Sequence, residues 1–175
     1  LTNDNLIVEE KVSSVFTITD KLTVLPVRAS IIALPGESIQ IAGIVNEAFG
    51  NNVLKAATQI RLGNISHALE ALDGKFNLTL EIPKNIKSGK HAIEIKSFDS
   101  KSNLGSSSIE LGITAIPSYI KTELSSTALL PGSKVEIIPS LYDQADDLIN
   151  ASLDLELTSP ANSKVFTKAV QSNEK

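Results

Sequence analysis

Leu34-Pro35-Gly36-Glu37-Ser38-Ile39-Gln40-Ile41 returns 96 residues later as Leu130-Pro131-Gly132-Ser133-Lys134-Val135-Glu136-Ile137. In both places a turn is followed by an alternating strand. Ile39, Ile41, Gly43 and Val45 fall on one face and Gln40 and Ala42 on the other, the pattern of a strand with one side in a core. Val135, Ile137 and Leu141 repeat Ile39, Ile41 and Val45. Leu153, Leu155 and Leu157 repeat Thr58, Ile60 and Leu62 at an offset of 95, so the intervening loop is one residue shorter. A turn and strand recurring at about one domain length mark a tandem module.

Reading outward from the first copy, residues 22–33 form an expected first strand. Pro26 cannot donate to a ladder and must lie at an edge or a break. Residues 53–62 are a third strand. Residues 67–72 have some helix propensity. Asp73-Gly74 follows at once, however, and Asp-Gly between apolar runs is a hairpin signal, so residues 65–72 read as a strand. Phe76, Leu78, Leu80 and Ile82 then alternate with polar residues up to Pro83. His91, Ile93 and Ile95 mark a sixth strand, and Ile109, Leu111 and Ile113 a seventh. Seven short strands separated by turns describe a β-sandwich. The expected core comprises Ile39, Ile41, Ile60, Phe76, Leu78, Leu80, Ile93, Ile95, Leu111 and Ile113.

Residues 12–19 match residues 107–114 at an offset of 95, with Ser14 on Ile109, Phe16 on Leu111, Ile18 on Ile113 and Thr19 on Thr114. Residues 1–20 therefore read as a leader or as the last strand of a preceding module. Residues 21–116 read as one sandwich, and residues 117–175 as a second that is incomplete after about four strands. The first residue is Leu1, which suggests a processed or excised piece. On this pattern residues 117–175 need completion by downstream sequence or by a neighbouring subunit, including a strand donated by residues 12–19 of another copy.

Of the 175 residues, 42% are hydrophobic and 21% charged, with a net charge of −4, as expected of a globular chain rather than a disordered one. Interspersed charge of that sign offers no basic face to nucleic acid. No apolar run approaches the ~18–20 residues that span a bilayer. Cysteine is absent, which rules out disulfides.

Leu-Pro-Gly before the second strand, Asp73-Gly74-Lys75-Phe76, Ile82-Pro83, Gly89-Lys90-His91 and Asn103-Leu104-Gly105 together resemble the tandem immunoglobulin-like or fibronectin-III-like repeats of prokaryotic cell-surface proteins, archaeal ones included. His91 stands where tyrosine is usual in such repeats. Gly132-Ser133-Lys134-Val135 with Leu141-Tyr142-Asp143 is also similar to macroglobulin-type sandwich domains. The resemblance implies an all-β fold of tandem immunoglobulin-like sandwiches and a structural role in a surface layer, filament or stalk, with self-association or neighbouring modules as partners. The alternative is an adhesin or a carbohydrate-binding accessory module. Sugar binding usually needs exposed aromatics on one face; here aromatics are 4% and scattered.

Catalysis is disfavoured. His67 and His91 both sit within strands, and no Gly-x-Ser-x-Gly elbow accompanies them. Asp143, Asp146 and Asp147 cluster in one loop, and calcium favours several oxygen ligands of this kind; a solvated hairpin tip would show the same residues. Asp99, near Asn103, is a weaker candidate. Three N-glycosylation sequons begin at Asn64, Asn77 and Asn150. Their number is close to chance, but each is placed to be exposed: Asn77 points away from the face of Phe76 and Leu78, and Asn64 and Asn150 lie at turns.

Overall fold

The computed structural model describes residues 21–172 except 127, 129 and 131. The expected strand at 12–19 lies outside the described residues. Every regular element is a β-strand, so the protein is all-β among the described residues. The first eight are β1 (Thr23–Pro26), β2 (Ser30–Ala33), β3 (Ser38–Asn46), β4 (Lys55–Leu62), β5 (Ile65–Leu72), β6 (Lys75–Glu81), β7 (Gly89–Asp99) and β8 (Leu104–Ile113). They pair in the order β1-β3-β6-β5-β4-β7-β8-β2.

The link between β6 and β5 is the single pair Leu72↔Lys75. It closes the Asp73-Gly74 turn, where both residues have positive φ, 48° and 73°, as a two-residue hairpin of the favoured twist requires. The strands thus divide into a layer β1-β3-β6 and a layer β5-β4-β7-β8-β2, both contributing to one buried cluster. Period-2 alternation builds that cluster. Ile41, Ile60, Ile93, Ile95 and Leu111 are fully enclosed, each worth about 1.5–3 kcal/mol of burial. Thr58 and Ser97 also lie in the core and hydrogen-bond each other at 3.0 Å, which removes the cost of burying two lone hydroxyls.

Two expectations need correction. Residues 22–33 form two strands, not one. Pro26 ends β1 opposite Gly43, and one further bond, Val27 N to Ala42 O at 2.9 Å, closes the pairing with β3. The chain then crosses to the other layer, where β2 runs parallel to β8. Leu78 is only partly buried, together with Ile65, Leu69 and Ile86. All but Ile86 belong to β5 and β6, along the side of the sandwich where those strands share one pair.

The remaining strands are β9 (Pro117–Leu124), β10 (Ile137–Asp143), β11 (Leu148–Ile149), β12 (Ser152–Thr158) and β13 (Lys164–Gln171). They form a three-stranded sheet, β11-β10-β9, and a two-stranded sheet, β12-β13. The repeated turn is preserved. Glu37 N donates to Leu34 O at 3.1 Å and Ser133 N to Leu130 O at 3.0 Å, with Gly36 and Gly132 at φ 80° and 83°. The strand after the second turn starts later than expected. Val135 lies outside it and is exposed. Residues 38–44 of β3 are held by β6, and nothing described plays that part for residues 134–136.

Candidate functional site

Among the described residues, the candidate residues do not gather in one pocket. The most organised polar constellation lies where the turn after β10 meets the crossover between β6 and β7. The turn is built by its own backbone: Asp143 N donates to Asp147 O at 2.9 Å and Asp146 N to Asp143 O at 3.2 Å. Asp146 takes φ 62°, which aspartate tolerates better than most residues. The Asp143 side chain is fully buried. Its Oδ1 accepts from Ala145 N at 2.8 Å and Asp147 N at 3.0 Å. Its Oδ2 is buried without a hydrogen bond of standard geometry.

Three ties then cross to the first sandwich. Gln144 Nε2 donates to Ile86 O at 2.9 Å. Gln144 Oε1 accepts from Ile116 N at 2.8 Å. Lys87 Nζ pairs with Asp147 Oδ1 at 3.2 Å. One glutamine therefore pins the turn to both the crossover and the link between β8 and β9. Burial pushes the Asp143 carboxyl up, but the amides of Ala145 and Asp147, the Ser88 hydroxyl and the Lys87 charge outweigh it, and the group sits below its ordinary value. On β9 and β10, the rings of Tyr119 and Tyr142 stack with centroids 4.9 Å apart and 10° between planes. Desolvation, Asp146 and Tyr142 raise the Tyr119 hydroxyl.

The three aspartates are adjacent in sequence but face different tasks. Asp143 folds its own turn, Asp147 meets Lys87, and Asp146 acts on Tyr119. Among the described residues, no group of three or more histidine, cysteine or acidic side chains is arranged to hold a metal ion. Asp99 is likewise occupied within its loop. Its Oδ1 accepts from Lys101 N and Asn103 N, and its Oδ2 from Asn103 Nδ2. Burial raises its pKa and these bonds, with the Lys101 charge, bring it below the ordinary value.

Asn64, Asn77 and Asn150 are all exposed. Asn64 follows Gly63 in the β4–β5 turn and lines an open cleft of about 480 Å³ with Leu62, Ile65, Pro83, Ile86 and His91. His91 Nε2 is 2.8 Å from Lys87 O, a bond that holds the crossover, and His67 is an exposed residue of β5. The sequence reading missed Gln144, Lys87 and Ile86. No motif marks them, because two of the three ties use backbone groups that any residue supplies.

No family model matches the chain, and no curated protein matches it. Solved structures that resemble it include a superoxide reductase (neelaredoxin) from Ignicoccus hospitalis, with 11% identity, TM-score 0.34, and coverage of 54% of this chain and 80% of that one. Domains 5–6 of the S-layer protein SbsC match with 9% identity and TM-score 0.34, covering 86% of this chain and 83% of that one. Domains 4–9 of the same S-layer protein match with 10% identity and TM-score 0.33, covering 89% and 31%. Likeness at these scores decides neither fold family nor activity. No described helix is long and apolar enough to cross a membrane.

Proposed function

We propose that the chain is a structural, non-catalytic stretch of a cell-surface protein, a surface layer, filament or stalk, built from immunoglobulin-like sandwiches in tandem over residues 21–116 and 117–175. The observation that carries the reading is the joint. β8 ends at Ile113 and β9 begins at Pro117, and Gln144 and Asp147 tie the second sheet to the first sandwich across that short link. A short link with side-chain ties fixes an angle between neighbours, whereas a flexible linker would leave each unit to reorient. A fixed angle repeated along a chain gives an extended rod. In this role the exposed Asn64, Asn77 and Asn150 carry glycan on the outer surface.

The test is immunogold labelling of intact cells with antibodies to residues 21–116, together with peptide mass spectrometry of the native material. Labelling of unpermeabilised cells and glycan on at least one of the three asparagines are expected. Labelling only after permeabilisation overturns the surface assignment, and unmodified peptides at all three positions remove the glycoprotein part.

A further inference from the structure

The turn that makes the joint occurs twice. Residues 47–51 stand 96 positions before residues 143–147, and they fold the same way. Glu47 N donates to Asn51 O at 2.8 Å and Gly50 N to Glu47 O at 3.0 Å, matching the Asp143–Asp147 and Asp146–Asp143 bonds. Gly50 takes φ 86° where Asp146 takes 62°. The strand after each turn returns to the same place: Val53 N donates to Val45 O, and Ile149 pairs with Leu141. The second copy of the turn is in use against the Ile86–Ser88 crossover. The first copy has nothing described seated on it. Phe49, in the place of Ala145, is 77% exposed. Beside it is an open hollow of about 290 Å³ lined by Lys21, Leu22, Glu47, Ala48, Phe49, Lys101 and Asn103.

We infer that this end of the first sandwich is a second joint, and that its occupant is the corresponding crossover of a preceding sandwich in the same chain. The inference rests on the tandem reading and adds the contact surface to it. The sequence supports that occupant: residues 12–19 repeat residues 107–114, which make up most of the last strand of the sandwich. At that offset Lys21 and Leu22 align in sequence with Ile116 and Pro117. At the 95-residue offset, the counterpart of residues 83–88 falls about 8–13 residues ahead of Leu1. The chemistry of the two joints differs. Ala48 replaces Gln144 and has no side-chain polar group to bridge with, and Asn51 replaces Asp147. Glu47 instead pairs within its own sandwich, 3.6 Å from Lys101. The first joint is therefore anchored by an aromatic ring, as buried interface anchors commonly are, where the second is held by polar ties.

The test uses the full-length native protein carrying photoreactive benzoylphenylalanine in place of Phe49. The expected cross-link is intramolecular, to the segment about 8–13 residues ahead of Leu1. Hydroxyl-radical footprinting of the unsubstituted protein supplies an independent readout. Phe49 labelling should fall from that of an exposed ring in the isolated 175-residue chain to that of the buried Phe76 in the native protein. Cross-links to another molecule or to residues 21–172, or labelling of Phe49 unchanged between the two proteins, overturn the inference. If the native protein nevertheless contains further repeats of this kind, the tandem reading stands and only the joint at Phe49 falls. A native mass equal to this chain alone defeats both.

Discussion

Residues 21–113 and 117–172 carry the same turn and the same alternation, yet they end in different states. The first region encloses twenty hydrophobic side chains in one cluster. In the second, Leu141 and Pro139 are the buried apolar side chains among the described residues. All eight residues of β9 are exposed. The β12–β13 ribbon sets Leu153 against Val170 and Leu157 against Phe166, but Leu157 and Phe166 remain about half exposed. The difference lies in what faces each strand. β3 has β6 beside it, and β4 has β7; no counterparts of β6, β7 or β8 occur among the described residues of the second region. An amphipathic strand therefore specifies a face to bury but does not bury it. A two-stranded ribbon alone is marginal in water, and three or more strands with a covered face are needed.

The largest effect should come from truncating the same repeat position in each region. Ile60 and Leu155 are equivalent, and Ile60 is fully enclosed while Leu155 is partly buried. Ile60→Ala should cost about 2–5 kcal/mol through transfer and cavity terms. Leu155→Ala should cost a small fraction of that. Urea denaturation of the two variants measures both. Equal losses would show that the second region closes a core of its own in solution and would erase the contrast.

Gly43→Ala should come next. A Cβ there would overlap the Phe76 ring and lie 2.7 Å from Leu25 O, so β1, β3 and β6 would all have to shift. Overpacking of this kind costs about 1–3 kcal/mol. The equivalent position in the second region is Pro139, which is buried opposite Thr122 with no described aromatic ring from a β6 counterpart over it. A Gly43→Ala variant as stable as the parent would mean that Phe76 packs elsewhere.

The periodic features were legible in the sequence, and the pairwise ones were not. Strands β3 to β8, the Asp73-Gly74 hairpin and the all-β class follow from alternation and turn chemistry, which are local. Pro26 was readable as a break, but its result, a strand that changes layers, depends on β8 lying alongside β2. The half-burial of Leu78 depends on the single pair between β5 and β6. The aspartates drew notice as a cluster of like residues, yet Asp143 meets Ser88, Asp147 meets Lys87 and Asp146 meets Tyr119, and the Gln144–Ile86 tie beside them joins residues 58 apart that no spacing rule connects.

Acid should separate the two regions before it unfolds either. Asp143 sits below its ordinary carboxyl value of 3.8 because the Ala145 and Asp147 amides, Ser88 and Lys87 outweigh its burial. A lowered folded-state pKa contributes stability that is present above the unfolded value and is lost as the pH falls through the folded one. The joint should thus hold at neutral pH and loosen below 3.8, down through the lower folded value. Because the chain has no cysteine, spin labels can be placed singly on β7 and β10 and the distance between them followed with pH. Asp143→Asn keeps an acceptor for the turn and should flatten that pH response. Calcium and a chelator should leave the labelled distance equal; a shift on adding calcium would return Asp143, Asp146 and Asp147 to the role of metal ligands.

Lys87→Ala should have the smallest effect, and its smallness bears on how the joint works. The Lys87–Asp147 pair is 3.2 Å long, but its side chains are 70% and 43% exposed. Exposed pairs contribute about 0–1 kcal/mol and weaken with salt. Gln144 is only partly exposed and makes two bonds to backbone groups that cannot move without disturbing β7 and the β8–β9 link. Gln144→Ala should therefore widen the spread of inter-label distances at any salt concentration. Lys87→Ala should do so slightly, and only at low ionic strength. If Lys87→Ala loosens the joint as much as Gln144→Ala does, the ion pair is what holds the angle, and the geometry of the turn merely delivers Asp147 to it.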